Sequence, residues 1–88
     1  MGWKTRFSVE AERQFSRLDR TVQVRLTKFL LTRIQTSEKP RRIGEALKGR
    51  LGEYWKYRVG DYRLICDIDD ATRTVWVLKI GDRKEICR

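Results

Sequence analysis

The segment YWKYRVGDYRLICDID, residues 54–69, constrains the fold more than any other part of the chain. It contains two runs rich in aromatic and β-branched residues, 54–59 and 62–69, which is the composition of β-strands. The pair Gly60-Asp61 between them suits a two-residue hairpin turn. The segment therefore predicts two adjacent antiparallel strands in the second half of the chain.

A two-residue turn fixes the register of this hairpin, and strand alternation then assigns each side chain to one face. The apolar and aromatic face contains Trp55, Tyr57, Val59, Tyr62, Leu64 and Cys66. The opposite face contains Tyr54, Lys56, Arg58, Arg63, Ile65 and Asp67. We expect the first face to lie against helices, because it is the one that gains from burial.

On the second face, Arg58 lies directly opposite Arg63 in the predicted register. Like charges at such a position destabilise a sheet by roughly the 0.2–1 kcal/mol that cross-strand pairs contribute. An anion bound between the two guanidinium groups would remove this repulsion, so the hairpin predicts an anion site. The alternative is a solvated basic face with Asp67 as counter-charge.

The first half of the chain predicts one short strand followed by two helices. WKTRFS, residues 3–8, alternates like a strand, and Ser8 can cap a helix whose apolar stripe is Ala11, Phe15 and Leu18. After a break at Asp19-Arg20, a second amphipathic helix is predicted to run to about Gln35. Residues 36–53 are predicted as a surface loop with a short helical turn.

The last predicted strand is residues 73–80. Strict alternation places Trp76, Leu78 and Ile80 on one side of this strand, and Val75, Val77 and Lys79 on the other. Trp55 and Trp76 are both predicted to belong to the core. The whole pattern predicts one α+β domain, residues 1–88, of order β-α-α-β-β-β. Its mostly antiparallel four-stranded sheet carries an N-terminal helical hairpin packed on one face.

Charge and composition limit the possible functions. The chain has 21 Lys and Arg against 12 Asp and Glu, a net charge of +9 with a pI near 10.2, which favours a polyanionic partner such as nucleic acid. It contains no histidine, which excludes a histidine-based triad or a His-ligated zinc enzyme, and we expect neither a metal nor a cofactor.

Cys66 and Cys87 lack zinc spacing, and Cys66 is predicted to be a buried apolar residue. Without an apolar membrane span or a leader pattern, we expect a cytoplasmic protein that does not associate with membranes.

Further basic residues lie close to the hairpin in the sequence. Arg83 follows the last predicted strand, where its side chain can lean over the basic face and join Lys56, Arg58 and Arg63 in a phosphate-binding cluster. The neighbouring residues predicted to contribute to RNA or phosphate binding are Lys48, Arg50, Tyr54, Lys84 and Arg88. Tyr54 could equally stack on a base or pack against the protein. Cys87 could have a reactive thiolate or be an ordinary thiol near the C-terminus.

The segment ALKGRLGEYWKYRVGDYRLICDI, followed by a strand and by IGDRKEIC, resembles the RelE branch of the RelE/ParE toxin superfamily. This resemblance implies a RelE-like, microbial-ribonuclease-like fold. It also implies the toxin of a type II toxin–antitoxin system that enters the ribosomal A site and cuts mRNA without a metal. The reaction would be attack of a ribose 2′-hydroxyl of the mRNA on the adjacent phosphate. In the A site, the toxin would contact ribosomal RNA as well as the mRNA. The implied partner is an antitoxin that wraps an extended or helical segment over the toxin.

The resemblance also implies roles for individual residues. Lys56 matches a lysine expected to act as base or charge stabiliser, and Arg63 an arginine that holds the scissile phosphate. Arg83 matches an arginine expected to act on the leaving oxygen or on the phosphate.

Three residues depart from the family pattern. Some relatives carry a lysine in place of Tyr54, the family often has a basic or neutral polar residue in place of Asp82, and many members carry a tyrosine in place of Cys87. Two alternatives therefore remain: a ParE-like inhibitor of DNA gyrase without nuclease activity, or a catalytically weakened RNA-binding relative.

Overall fold

The structure, a computed structural model, describes residues 2–47 and 54–82, with the side chain of Asp82 excepted. In chain order its elements are β1 (Lys4–Phe7), α1 (Val9–Ser16), α2 (Arg20–Phe29), β2 (Glu45–Ala46), β3 (Trp55–Val59), β4 (Tyr62–Asp69) and β5 (Thr74–Asp82). Helix α2 continues directly into a π-helical turn, Leu30–Ile34, and a 3₁₀ turn spans Pro40–Arg42. The predicted α+β class is therefore confirmed. None of the described helices is long and apolar enough to cross a membrane.

The five strands form one sheet in the order β1-β5-β4-β3-β2. Strand β1 pairs in parallel with β5, whereas the other three pairs are antiparallel. The predicted hairpin register is confirmed, since Arg58 lies opposite Arg63 and Val59 opposite Tyr62. The parallel partnership of β1 brings the start of α1 to the edge of β5.

The sheet has one more strand than the four predicted. Glu45 and Ala46, which the sequence placed in a helical turn, instead pair with Lys56 and Trp55 of β3. Gly44 makes this close approach possible, because a Cβ at that position would lie only 2.8 Å from Cδ1 of Tyr57. The helical prediction was wrong here because the contact with β3 overrides local propensity.

The helical hairpin packs on one face of the sheet, as predicted. Helix α1 begins where the Ser8 hydroxyl accepts a hydrogen bond from the backbone N–H of Ala11 at 3.1 Å. The fully buried core residues from the helices and the sheet are Ala11, Leu26, Ile34, Tyr57, Leu64, Cys66, Val75 and Val77. Phe29 of α2 contacts Tyr57 of β3, with ring centroids 5.9 Å apart. The sheet face turned away from the helices is called the open face below.

Strict alternation fails along β5. Val77 pairs with Cys66, but Ile65 pairs with Lys79, so Leu78 is an extra residue in a β-bulge. Because of the bulge, Ile80 is buried together with Val77, and the predicted grouping of Trp76 with Ile80 was wrong. Trp76 lies opposite Asp67 and is only partly buried, so its assignment to the core was also wrong.

Candidate phosphate-binding site

The hairpin brings three predicted site residues together on the open face. Lys56 and Arg58 alternate along β3, and Arg63 of β4 lies directly opposite Arg58. On its other side, Arg63 lies opposite Gly81 of β5, which has no side chain. The central arginine therefore has a second arginine on one flank and a residue without a side chain on the other.

Arg63 is buried although it carries a charge. Only 5% of the residue is exposed, and within the described residues its buried Nε has no hydrogen-bond partner. Buried donors in folded proteins almost always have a partner, and a buried charge normally has a counter-ion. An anion bound at this side chain would supply an acceptor for Nε and a charge opposite to that of the guanidinium group.

Glu45 adds a carboxylate that the sequence analysis did not include. Its Oε1 lies 3.8 Å from Nζ of Lys56, in an ion pair whose lysine side chain is 23% exposed. Ile43, Gly44 and Arg58 complete a cleft of about 60 Å³ around this pair. Local sequence pointed to a helical turn at Glu45, so only the pairing of β2 with β3 could have revealed this neighbour.

Of the remaining predicted site residues, the structure describes Tyr54 and leaves six others outside the described residues. Tyr54 immediately precedes β3, is partly buried and shares the alternation of Lys56 and Arg58. The other six, Lys48, Arg50, Arg83, Lys84, Cys87 and Arg88, lie outside the described residues. Their placement in the cluster stays a prediction.

Two polar side-chain contacts hold the segment before β2 against the sheet. Arg41 donates two hydrogen bonds of 2.9 Å to the carboxylate of Asp70, and this contact lowers the pKa of Asp70. The Tyr57 hydroxyl donates to the carbonyl of Pro40 at 2.8 Å, and burial raises the pKa of Tyr57. Both contacts fix the segment that leads into Glu45, and they therefore help to position this residue beside β3.

Cys66 lies under the open face and is fully buried. Burial raises the pKa of its thiol, so Cys66 remains protonated and unreactive near neutral pH. The prediction of a buried apolar residue is confirmed.

A second surface lies on the helices, away from the sheet. Val24 and Leu31 are about half exposed, at 56% and 50%, and lie seven residues apart on α2 and its π-helical continuation. They line a groove of about 480 Å³ together with Phe15. Arg20 and Lys28 border the same groove, so its apolar floor has a basic rim.

The protein is a small α+β domain with a five-stranded sheet and a helical hairpin on one face. On the other face lies a buried arginine whose Nε has no hydrogen-bond partner among the described residues. The chain belongs to the ParE toxin family of type II toxin–antitoxin systems, parDE, whose sequence profile matches residues 5–87. It is thus a type II toxin of the RelE/ParE superfamily, and the predicted resemblance is confirmed.

Two relatives from Mycobacterium tuberculosis are similar over nearly the whole chain. Toxin RelG is 31% identical over 88 residues, which is 100% of this chain and 99% of RelG. A chain in the crystal structure of the toxin–antitoxin complex RelBE2 superposes with a TM-score of 0.85 at 28% identity, covering 94% of this chain and 100% of that chain. A chain of the archaeal RelE–RelB complex from Pyrococcus horikoshii shares the fold, with a TM-score of 0.72 at 21% identity over 94% of this chain and 97% of its own.

Proposed function

We propose that this toxin is a ribosome-dependent endoribonuclease that cleaves mRNA in the ribosomal A site without a metal ion. The observation that carries the proposal is Arg63, a buried arginine opposite a second arginine, whose buried Nε has no hydrogen-bond partner among residues 2–47 and 54–82. A scissile RNA phosphate between Arg58 and Arg63 would supply an acceptor and a negative charge. In this proposal the toxin acts in the cytoplasm, and its open face contacts mRNA and ribosomal RNA in the A site.

The reaction converts one phosphodiester bond into a cyclic phosphate. The 2′-oxygen loses its proton and attacks the neighbouring phosphorus, and the bond to the 5′-oxygen breaks. The leaving 5′-oxygen takes a proton from water, so the products are a 2′,3′-cyclic phosphate and a free 5′-hydroxyl. Two negative charges develop on the non-bridging oxygens in the transition state. Arg63 and Arg58 stabilise them, since fixed cations in a site sheltered from water act most strongly where charge develops.

Glu45 is the proton acceptor in this proposal. A carboxylate beside the cluster can take the 2′-hydroxyl proton, and general bases of this kind contribute about 10²–10⁴-fold to a rate. Lys56, 3.8 Å away, holds the carboxylate and adds positive charge near the phosphate. Arg83 remains the residue proposed to assist the leaving 5′-oxygen, and Cys87 a doubtful participant.

The test uses purified toxin, programmed ribosomes and mapping of RNA ends. Arg63→Ala should abolish cleavage within codons, and Glu45→Gln should slow it about 10²-fold or more. Arg17→Ala, which removes an exposed arginine at the end of α1, is the matched control and should cleave normally. Full cleavage by a folded Arg63→Ala protein would place the site elsewhere.

Inhibition of DNA gyrase is the second candidate function, because the matching family profile is that of the ParE toxin. A gyrase inhibitor acts by binding and does not need the Lys56–Glu45 pair. A supercoiling assay on the same protein preparations separates the two functions. Blocked supercoiling together with intact mRNA would favour gyrase and reject the nuclease.

We also propose a cognate antitoxin as protein partner, since related toxins have been solved as toxin–antitoxin complexes. The groove beside Val24 and Leu31 is suited to an amphipathic helix, with acidic residues facing Arg20 and Lys28. Val24→Asp should weaken neutralisation by a co-expressed antitoxin. Val9→Asp is the control, because Val9 is 70% exposed and lies outside the groove.

A further inference from the structure

The β-bulge in β5 determines which residue lies beside Arg63. Between Cys66 and Ile65 of β4, the opposite strand advances by two residues, from Val77 to Lys79, and Leu78 is left over. Bulges are frequent next to active sites, where they redirect side chains. This bulge lies two residue pairs away from Arg63.

The effect of the bulge becomes clear when the residue pairs between β4 and β5 are assigned for a regular ladder without it. If Val77 stayed opposite Cys66 and pairing then continued regularly, Arg63 would lie opposite Ile80 rather than Gly81. The Ile80 side chain would then project beside the guanidinium on the open face, and Lys79 would point into the core opposite Leu64. In the structure, Gly81 lies beside Arg63 and Ile80 is 5% exposed in the core.

Two side chains, one from the N-cap of α1 and one from its second half, hold the bulge in place. The Ser8 hydroxyl donates to the carbonyl of Leu78 at 2.9 Å, and Oε1 of Gln14 accepts a hydrogen bond from the N–H of Ile80 at 2.6 Å. Strand β1 pairs with β5 only as far as Val77, so these side chains take over where backbone pairing ends. They satisfy backbone groups that the edge strand does not reach.

We infer that Gln14 and Ser8 are positioning residues that set the register of β5, so that Gly81 and not the side chain of Ile80 lies beside Arg63, where a phosphate would bind. Gln14 acts through Ile80, because its acceptor oxygen favours the bulged arrangement over a regular ladder. Ser8 also caps α1, so only Gln14 can be changed without removing the helix cap. The phosphate part of this inference rests on the proposed function, whereas the register part does not.

The test compares three variants of the full-length protein by NMR. Interstrand NOEs from residue 63 to residue 81 or residue 80 report the register, and titration with inorganic phosphate reports anion binding at Arg63. Gln14→Leu removes the acceptor, so it should show contacts between residues 63 and 80 and lose about tenfold or more in phosphate affinity. Gln14→Glu keeps an acceptor oxygen at the same reach and should retain the register and the affinity of the wild type.

Gln35→Leu is the matched control. Gln35 is also partly buried, and its side chain donates to the Thr5 hydroxyl at 2.7 Å, away from the bulge. This variant should leave both readouts unchanged. Equal register shifts in Gln35→Leu and Gln14→Leu would show a general loss of packing and overturn the inference.

Gly81→Val keeps the proposal testable if Gln14→Leu does not fold. This variant retains Gln14 and the bulge but places a side chain beside Arg63, so phosphate affinity should fall while Leu64 remains opposite Ile80. Unchanged phosphate affinity in folded Gly81→Val, or an unchanged register in Gln14→Leu, overturns the inference. A wild-type protein with the bulged register and phosphate binding but without RNA cleavage would instead reject only the proposed nuclease.

Discussion

Replacing Arg63 with methionine should make the protein more stable while removing its activity. Arg63 is 5% exposed, lies opposite Arg58, and has a buried Nε without a partner in the part of the chain that the structure describes. Methionine keeps an unbranched, flexible stem that can fill the same space without a charge. The substitution therefore removes an unfavourable electrostatic arrangement with little loss of packing.

The magnitude follows from two contributions. Relief of the repulsion across the Arg58–Arg63 pair contributes about 0.2–1 kcal/mol. Removing a buried donor that has no acceptor contributes about 1–3 kcal/mol. Part of this gain is offset by contacts of the guanidinium atoms that methionine does not replace. We therefore expect the free energy of unfolding to rise by about 1–2 kcal/mol, or roughly 4–8 °C in Tm for each kcal/mol.

The assay is urea unfolding followed by tryptophan fluorescence, in chloride and in phosphate buffers of equal ionic strength. Phosphate should stabilise the wild-type protein by mass action but leave Arg63→Met unchanged, because the variant has lost the anion site. Arg58→Met is the matched control. It removes the same repulsion from an exposed position, so we expect a gain of at most about 1 kcal/mol.

A destabilised Arg63→Met protein would refute this reasoning. A loss of about 1 kcal/mol or more in chloride would mean that the guanidinium makes net favourable contacts in the folded toxin. Equal stabilisation of the wild type and Arg63→Met by phosphate would show that the anion binds at another place.

Three further predictions concern the surroundings of the site. Asp70→Asn should make the free energy of unfolding depend less on pH in the acid range. Contact with Arg41 lowers the pKa of Asp70 in the folded protein. The stabilisation from this ion pair is therefore present above the unfolded pKa of about 3.9 and is lost as pH falls through the folded pKa. Urea titrations at several acid pH values measure this, and an unchanged pH dependence would contradict it. In a Cys87→Ser background, Cys66 should react with a thiol reagent only as fast as the protein unfolds, because the thiol is fully buried and its pKa is raised; rapid labelling of the native protein would be inconsistent with this burial. Gly60→Ala should cost about 1–2 kcal/mol in urea unfolding, since Gly60 has a φ of 61°, and an unchanged midpoint would argue against a left-handed turn.

The open face illustrates which features of the site local sequence patterns can predict. The Gly60-Asp61 turn and strand alternation were sufficient to place Arg58 opposite Arg63, because both depend only on neighbours along the chain. The burial of Arg63 could not be predicted in this way. The alternation pattern alone had left Arg63 on a surface, whereas the residue is only 5% exposed in the folded protein.

The sequence by itself determined the order of the elements other than β2, the hairpin register, the Ser8 cap and the sorting of charge to one face. These features arise from periodicity, turn chemistry and capping, which act over a few residues. The tertiary structure decided the bulge at Leu78 and the approach of Glu45 to Lys56. The bulge is held by Ser8 and Gln14, which lie 70 and 66 residues away from their partners in the sequence. Contacts of that range leave no periodic signal, so the residue beside Arg63 was settled only when α1, β4 and β5 packed together.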